Sequence, residues 1–189
     1  MPLFNTEKDW DDYVAAAEIV ARSPGFLQLR DAILERAGVA AGERVLDIGS
    51  GTGLLTLPSA AVAERVWALD ISGGMCNYLD VKVRSAGFTN VEPVVASAAS
   101  IPLVDECVEV VVSNYCFHHL DPAGKVTALA EVHRTLVPGG RLVFGDMMFS
   151  MALGEARNRR VVADKVGSML AKGPAGAWRL ARNGTRYVT

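Results

Sequence analysis

Two acids, a glycine-rich turn and a pair of histidines are the residues of this chain whose types and spacing suit chemistry. Asp47 sits in the apolar run Val45-Leu46-Asp47-Ile48, directly before Gly49-Ser50-Gly51-Thr52-Gly53. Asp70 closes a second apolar run, Val66-Trp67-Ala68-Leu69. It lies about 20 residues beyond the loop, where a carboxylate accepts hydrogen bonds from ribose hydroxyls. His118 and His119 follow Asn114-Tyr115-Cys116-Phe117, and a neutral imidazole takes up a proton near pH 7.

Glycine at 49, 51 and 53 lets the backbone take positive φ and come close to a ligand, and the N–H groups of the following helix start are expected to point at it. The loop therefore reads as a nucleotide cradle. Its spacing is G-x-G-x-G, not the G-x-G-x-x-G of a dinucleotide site. A carboxylate at Asp47 would repel a pyrophosphate and would suit a ligand carrying an ammonium and a sulfonium. That is the charge pattern of S-adenosylmethionine (SAM).

At Val45–Gly53 (VLDIGSGTG) and Ala68–Ser72 (ALDIS) the sequence resembles the class I SAM-dependent methyltransferases. The Pro138-Gly139-Gly140 turn before a strand is a later landmark in the same order, and the resemblance covers roughly residues 40 to 150. It implies an α/β fold with a Rossmann-like doubly wound sheet of order 3-2-1-4-5 beneath an N-terminal helical lid. It also implies cofactor contacts residue by residue. Asp47, Gly49, Ser50, Gly51 and Gly53 belong to the loop, and Asp70 takes the ribose. Ile71 and Met75 flank the adenine, Ser97 and Ala98 meet its edge, and Asn114 orients the methionine part. Ser97 replaces the usual Asp, so its contact with the adenine amino group is uncharged and weaker.

Methyl transfer from a sulfonium is an in-line displacement with a neutral leaving group, so the enzyme's main task is to align acceptor and methyl and keep water out. Neither a metal nor a covalent nucleophile is required. His118 and His119 are the catalytic candidates, as a base for an acceptor that must lose a proton. Asp146, at the end of strand five, is a candidate for touching the acceptor. The resemblance points to a small-molecule acceptor, as in the quinone-biosynthesis and natural-product group. The alternatives are a non-catalytic SAM-binding protein, an RNA methyltransferase, and an NAD(P)-dependent reductase. The last is disfavoured by Asp47, the missing third glycine and the lack of a Tyr-x-x-x-Lys pair.

The positioning elements follow from periodicity. Residues 6–21 carry Trp10, Tyr13, Val14, Ala17 and Ile19-Val20 at helical spacing, with Thr6 as a cap, and the resemblance, not the spacing, makes Trp10 and Tyr13 lid candidates. A second helix starts at Ser23-Pro24 and stops at Gly38. Strands are expected at 44–48, 66–69, 91–95, 108–113 and 141–145. The helices between them run from the loop to about Glu64, from a Ser72 cap to about Gly87, and from an Asp121-Pro122 cap to Leu136. The near-continuous valine run of strand four suits a parallel strand buried on both faces. Three regions result: a helical cap at 1–40, a SAM-binding core at 41–150, and a C-terminal segment at 151–189 with a helix over 151–172. That last segment reads as lacking strands six and seven, as a truncated chain or a family variant would.

The 189 residues are half hydrophobic with 21% charged, which suits one globular core. A net charge of −2 gives no general attraction to nucleic acid or anionic membranes, although Arg157, Arg159, Arg160, Arg179, Arg182 and Arg186 make the C-terminal stretch basic. No basic-then-apolar leader opens the sequence and no run of about 18 apolar residues occurs, so a cytoplasmic location is expected. Cys76, Cys107 and Cys116 have no C-x-x-C spacing and read as small core residues.

Overall fold

In a computed structural model, residues 10–146 are described, together with Gly167 and Gly173. The architecture below is that of the unit Met1–Asp146. Five short runs rich in β-branched residues form β1 (Arg44–Ile48), β2 (Arg65–Asp70), β3 (Val91–Val95), β4 (Val108–Asn114) and β5 (Leu136–Gly145). They make one sheet of order β3-β2-β1-β4-β5, and every neighbouring pair is parallel. The expected topology is therefore present.

A parallel sheet must be covered on both faces, and the alternation along the strands shows how. Val45, Val66, Val110 and Val112 pack against Ile33 and Ala37 of α2 (Pro24–Ala37) and against Leu55 and Ala60 around α3 (Thr56–Ala60). Ala68, on the same side, meets Leu79 and Val83 of α4 (Gly73–Ser85). Leu46, Ile48, Leu69 and Val111 point the other way, onto Ala128 and Val132 of α5 (Pro122–Thr135). Full burial of each such aliphatic side chain contributes about 1.5–3 kcal/mol, so β1 and β4 form the stable floor on which the site is built.

Two of the expected caps act through their side chains. Ser72 Oγ accepts from Met75 N–H at 3.0 Å, and Asp121 accepts from Gly124 N–H. Ser23 makes no side-chain cap bond; Pro24 at the first helical position and left-handed Gly38 after the last mark the ends of α2. The N-terminal segment is a 3-10 turn (Trp10–Tyr13) running into α1 (Val14–Ala21). Thr6 and the whole of 151–172 except Gly167, which is helical, lie outside the described residues, as do the six C-terminal arginines.

Two boundaries differ from expectation. The helix after the glycine loop does not reach Glu64: α3 holds only Thr56–Ala60, with 51–55 spent in successive turns before it and 61–64 in turn and bend after it. β5 also begins earlier, at Leu136, which pairs with Val108. The Pro138-Gly139-Gly140 turn is absorbed as an irregularity before Arg141 pairs with Val110, and Gly139 at φ +82° supplies the bend.

Candidate active site

A cavity of about 490 Å³ opens at the carboxyl edge of β1, β2 and β4, the place where open α/β sheets bind ligands. The lower wall is made by Asp47 and Ile48 of β1, Gly49 to Thr52 of the loop, Asp70 of β2, Ser97 and Ala98 after β3, and Asn114 of β4. Trp10, Tyr13 and Phe26 from the N-terminal segments, with Tyr115, His118 and His119, line it as well. No Lys or Arg contributes to this wall among the described residues.

The loop itself is bound to the protein. Gly49 and Ser50 donate their N–H groups to Leu69 O at 2.8 and 3.0 Å, Gly51 donates to Asp70 Oδ2 at 2.8 Å, and Gly53 to Ser50 O at 2.9 Å. Four donors of the loop itself, ahead of the helix start, are thus already used by the carboxyl end of β2 and by the loop. A pyrophosphate would find no donor nest at these positions.

The polar groups of the lower wall are acceptors instead. Asp47 is 1% exposed and accepts from Thr56, through Oγ1 at 2.6 Å and through the Thr56 backbone N–H. Burial, with Asp70 nearby, pushes its carboxyl up to about 7. Asp70 is also raised by burial, against hydrogen bonds from the backbone N–H of Ser72 and Gly51. Asn114 Oδ1 and Ser50 Oγ are buried with no hydrogen-bond partner among the described residues, and a buried polar atom left unpaired costs about 1–3 kcal/mol. Two carboxylates and two orphaned oxygens around a cation-free wall fit a ligand that brings positive charge and hydrogen-bond donors.

The upper wall is aromatic. Tyr115 takes φ +56°, the left-handed region rarely used by a side chain of this size. Its ring stacks on Phe26 with centroids 4.7 Å apart. The His118 and His119 rings lie 3.8 Å apart, and His119 meets Trp10 edge-on at 4.6 Å. Cys116 also faces the cavity, and burial pushes its thiol up to about 12, so it stays a neutral packing group near pH 7.

The N-terminal segment is held down by charge. Asp11 accepts from Ser72 Oγ and from Gly74 N–H, the latter at 2.8 Å, which places a carboxylate at the start of α4, where the helix dipole favours it. The Ser72 hydrogen bond holds its carboxyl below the usual range. Glu18 of α1 accepts from Lys82 Nζ at 2.9 Å and from Arg22 at 2.8 Å. Lys82 also donates to Thr52 O at 3.0 Å, so one ammonium joins lid, α4 and loop.

The methyltransferase domain family matches residues 45–140, just over half of the chain. The chain belongs to this family. A ubiquinone/menaquinone biosynthesis C-methyltransferase of Vibrio vulnificus is 36% identical over 114 residues, covering 58% of this chain and 43% of that protein. A methyltransferase of Geobacillus kaustophilus is 32% identical over 137 residues, 68% of this chain and 61% of the relative. Among solved structures, a SAM-dependent methyltransferase from Aquifex aeolicus superposes with a TM-score of 0.62 at 27% identity, covering 70% of this chain and 72% of that one. The chain thus spans less than half the length of the Vibrio relative.

In this methyltransferase domain the cavity gathers Asp47, Gly49, Ser50, Gly51, Asp70, Ile71, Met75, Ser97, Ala98, Asn114, His118 and His119. Gly53 stands apart. At φ +90° its added Cβ would lie 2.5 Å from Leu79 Cδ1, so it allows α4 to close on the loop. Asp146 does not line the cavity either; it lies behind His118. Phe26, Tyr115, Cys116 and the anchors Asp11, Glu18 and Lys82 carry no site signal in the sequence. The position of Phe26, early in α2, gains meaning only from the packing of α2 beside β4.

Proposed function

We propose that this chain binds SAM and passes its methyl group to a small-molecule acceptor. The observation that carries the reading is the acceptor-lined wall: Asp47, Asp70, Asn114 Oδ1 and Ser50 Oγ surround a cavity whose loop donors at 49, 50, 51 and 53 are already engaged. When bound, SAM supplies a methyl carbon activated by a positive sulfur.

Each residue group has a distinct task in this reading. Asp70 uses the lone pairs not taken by Gly51 and Ser72 to accept from the ribose hydroxyls. Ile71 and Met75 bracket the adenine, with Ser97 and Ala98 at its edge. Ser97 Oγ already accepts from Ala99 N–H at 3.2 Å, and its second lone pair remains to accept from the adenine amino group. Gly49, Ser50, Gly51 and Asn114 surround the methionine part, while Asp47 offsets positive charge. Trp10, Tyr13, Phe26 and Tyr115 exclude water and offer flat apolar surface to the acceptor. That surface and the cation-free wall support a neutral or cationic small molecule over an acidic one or RNA.

The test is transfer of labelled methyl from SAM to a panel of phenols, amines, thiols and carbon acids. Turnover of at least one member, reduced by Asn114→Ala, is expected. SAM binding without transfer to any member, with the full chain, would favour the non-catalytic reading.

A further inference from the structure

Among the described residues, Asp146 is the most deeply buried acid outside the cavity wall, its side chain 1% exposed. It grips one residue at two points: Oδ2 accepts the His118 backbone N–H at 3.0 Å, and Oδ1 lies 2.6 Å from His118 Nδ1. Its neighbour Gly145 holds the other end of the same turn, since Tyr115 N–H donates to Gly145 O at 2.9 Å. The left-handed backbone at Tyr115 is therefore held between two contacts from the end of β5, the kind of over-determined geometry that lets strain persist at a functional site.

A carboxylate offers only acceptors, so a neutral His118 carries its hydrogen on Nδ1 and keeps the lone pair on Nε2. The Nδ1 side of the ring is turned to Asp146, and the ring lines the cavity, which leaves the Nε2 edge for whatever occupies it. His119 packs on Trp10 of the lid instead. We propose that Asp146 is a positioning residue that holds His118 as the Nδ1–H tautomer, making His118 and not His119 the proton acceptor of the reaction. This rests on the methyltransferase reading and adds a demand on the substrate.

The acceptor must carry a proton on the atom to be methylated. That proton passes to His118 Nε2, its electron pair stays on the acceptor atom, and the Asp146 carboxylate balances the imidazolium. Hydroxyls, ammonium groups and carbon acids meet the demand; thioethers and tertiary amines do not. The other titratable groups on the wall are Tyr115, Cys116 and His119 on the same loop, Tyr13 on the lid, and Asp47 and Asp70 on the strands.

Long-range 15N–1H correlation spectra of the labelled full chain, with His118 assigned through His118→Gln, read the tautomer directly. Wild-type protein should show Nδ1–H with a bare Nε2, with or without S-adenosylhomocysteine, and Asp146→Asn should lose that preference. Diethyl pyrocarbonate should modify His118 at Nε2 several-fold faster in the wild type than in Asp146→Asn. A wild-type Nε2–H tautomer, or a His118 that resists the reagent while His119 reacts, overturns the proposal even if Asp146→Asn does not fold. Failure of S-adenosylhomocysteine to bind would strike the methyltransferase reading while leaving the tautomer readable.

Discussion

Gly51 donates its backbone N–H to Asp70 Oδ2 at 2.8 Å, tying the middle of the glycine loop to the end of the neighbouring strand. The other oxygen of Asp70 accepts from Ser72 N–H at 2.9 Å, at the start of α4. One side chain thus spaces the loop that would face the methionine part from the helix that would face the adenine.

Asp70→Asn replaces one acceptor with a donor against a backbone donor. Charged hydrogen bonds are worth about 1.5–3 kcal/mol each, so SAM affinity should fall by about 100-fold, with about 1–3 kcal/mol lost in urea unfolding. Calorimetric titration and equilibrium denaturation measure the two losses separately.

Gly49→Ala and Gly51→Ala should differ although both glycines have positive φ. A Cβ on Gly49 would lie 2.6 Å from Cys116 Cβ and 2.7 Å from its Sγ, whereas at Gly51 it would meet nothing within 4 Å. The first should cost about 3 kcal/mol or more through strain plus overlap, the second about 1–2 kcal/mol through φ alone. Equal urea midpoints for the two variants would contradict the close approach of the loop to the turn after β4.

Asp47 gives a pH dependence with a definite sign. Its carboxyl is raised from 3.8 to about 7, so between these values the folded state holds a proton that the unfolded chain has released. The contribution is fully present below about 4 and is lost as pH rises through about 7, by ~4 kcal/mol at most. Asp47→Asn should remove this slope. A cationic ligand should reverse the preference, so SAM binding releases about half a proton near pH 7 and close to one near pH 5.5, and S-adenosylhomocysteine, without the sulfonium, releases less. Titration in buffers of different ionisation enthalpy counts these protons.

The lid anchors predict an asymmetry between partners. Glu18, with its side chain 12% exposed, keeps the outward Arg22 as its one cationic partner, beside the Thr52 side chain, once Lys82 is removed, whereas Lys82 without Glu18 still has Thr52 O. Lys82→Met should therefore destabilise more than Glu18→Gln, by about 1–2 kcal/mol, because it strands a part-buried charge. Both should speed SAM dissociation, as stopped-flow displacement would show.

Much of the frame was legible because local chemistry agreed with the fold. The five strands, the Ser72 and Asp121 caps and the acids at the ends of β1 and β2 each depend on a few neighbouring residues. What was not legible depends on distant approach. Asp11 reads as one acid on a polar face until α4 arrives beside it, 61 residues further on. The loop N–H groups look free until Leu69 O takes two of them. Gly53 reads as a ligand glycine until Leu79 is packed against it, and Asp146 reads as an acceptor contact until His118 comes between it and the cavity.

The most direct measurement is calorimetric titration of the purified full chain with SAM, S-adenosylhomocysteine and NADH, with Asp70→Ala as control. Saturable binding of both adenosyl ligands that the substitution abolishes, and no binding of NADH, is the predicted result. Heat from NADH alone, or from none of the three with the protein folded, would contradict the reading of this cavity as a SAM site.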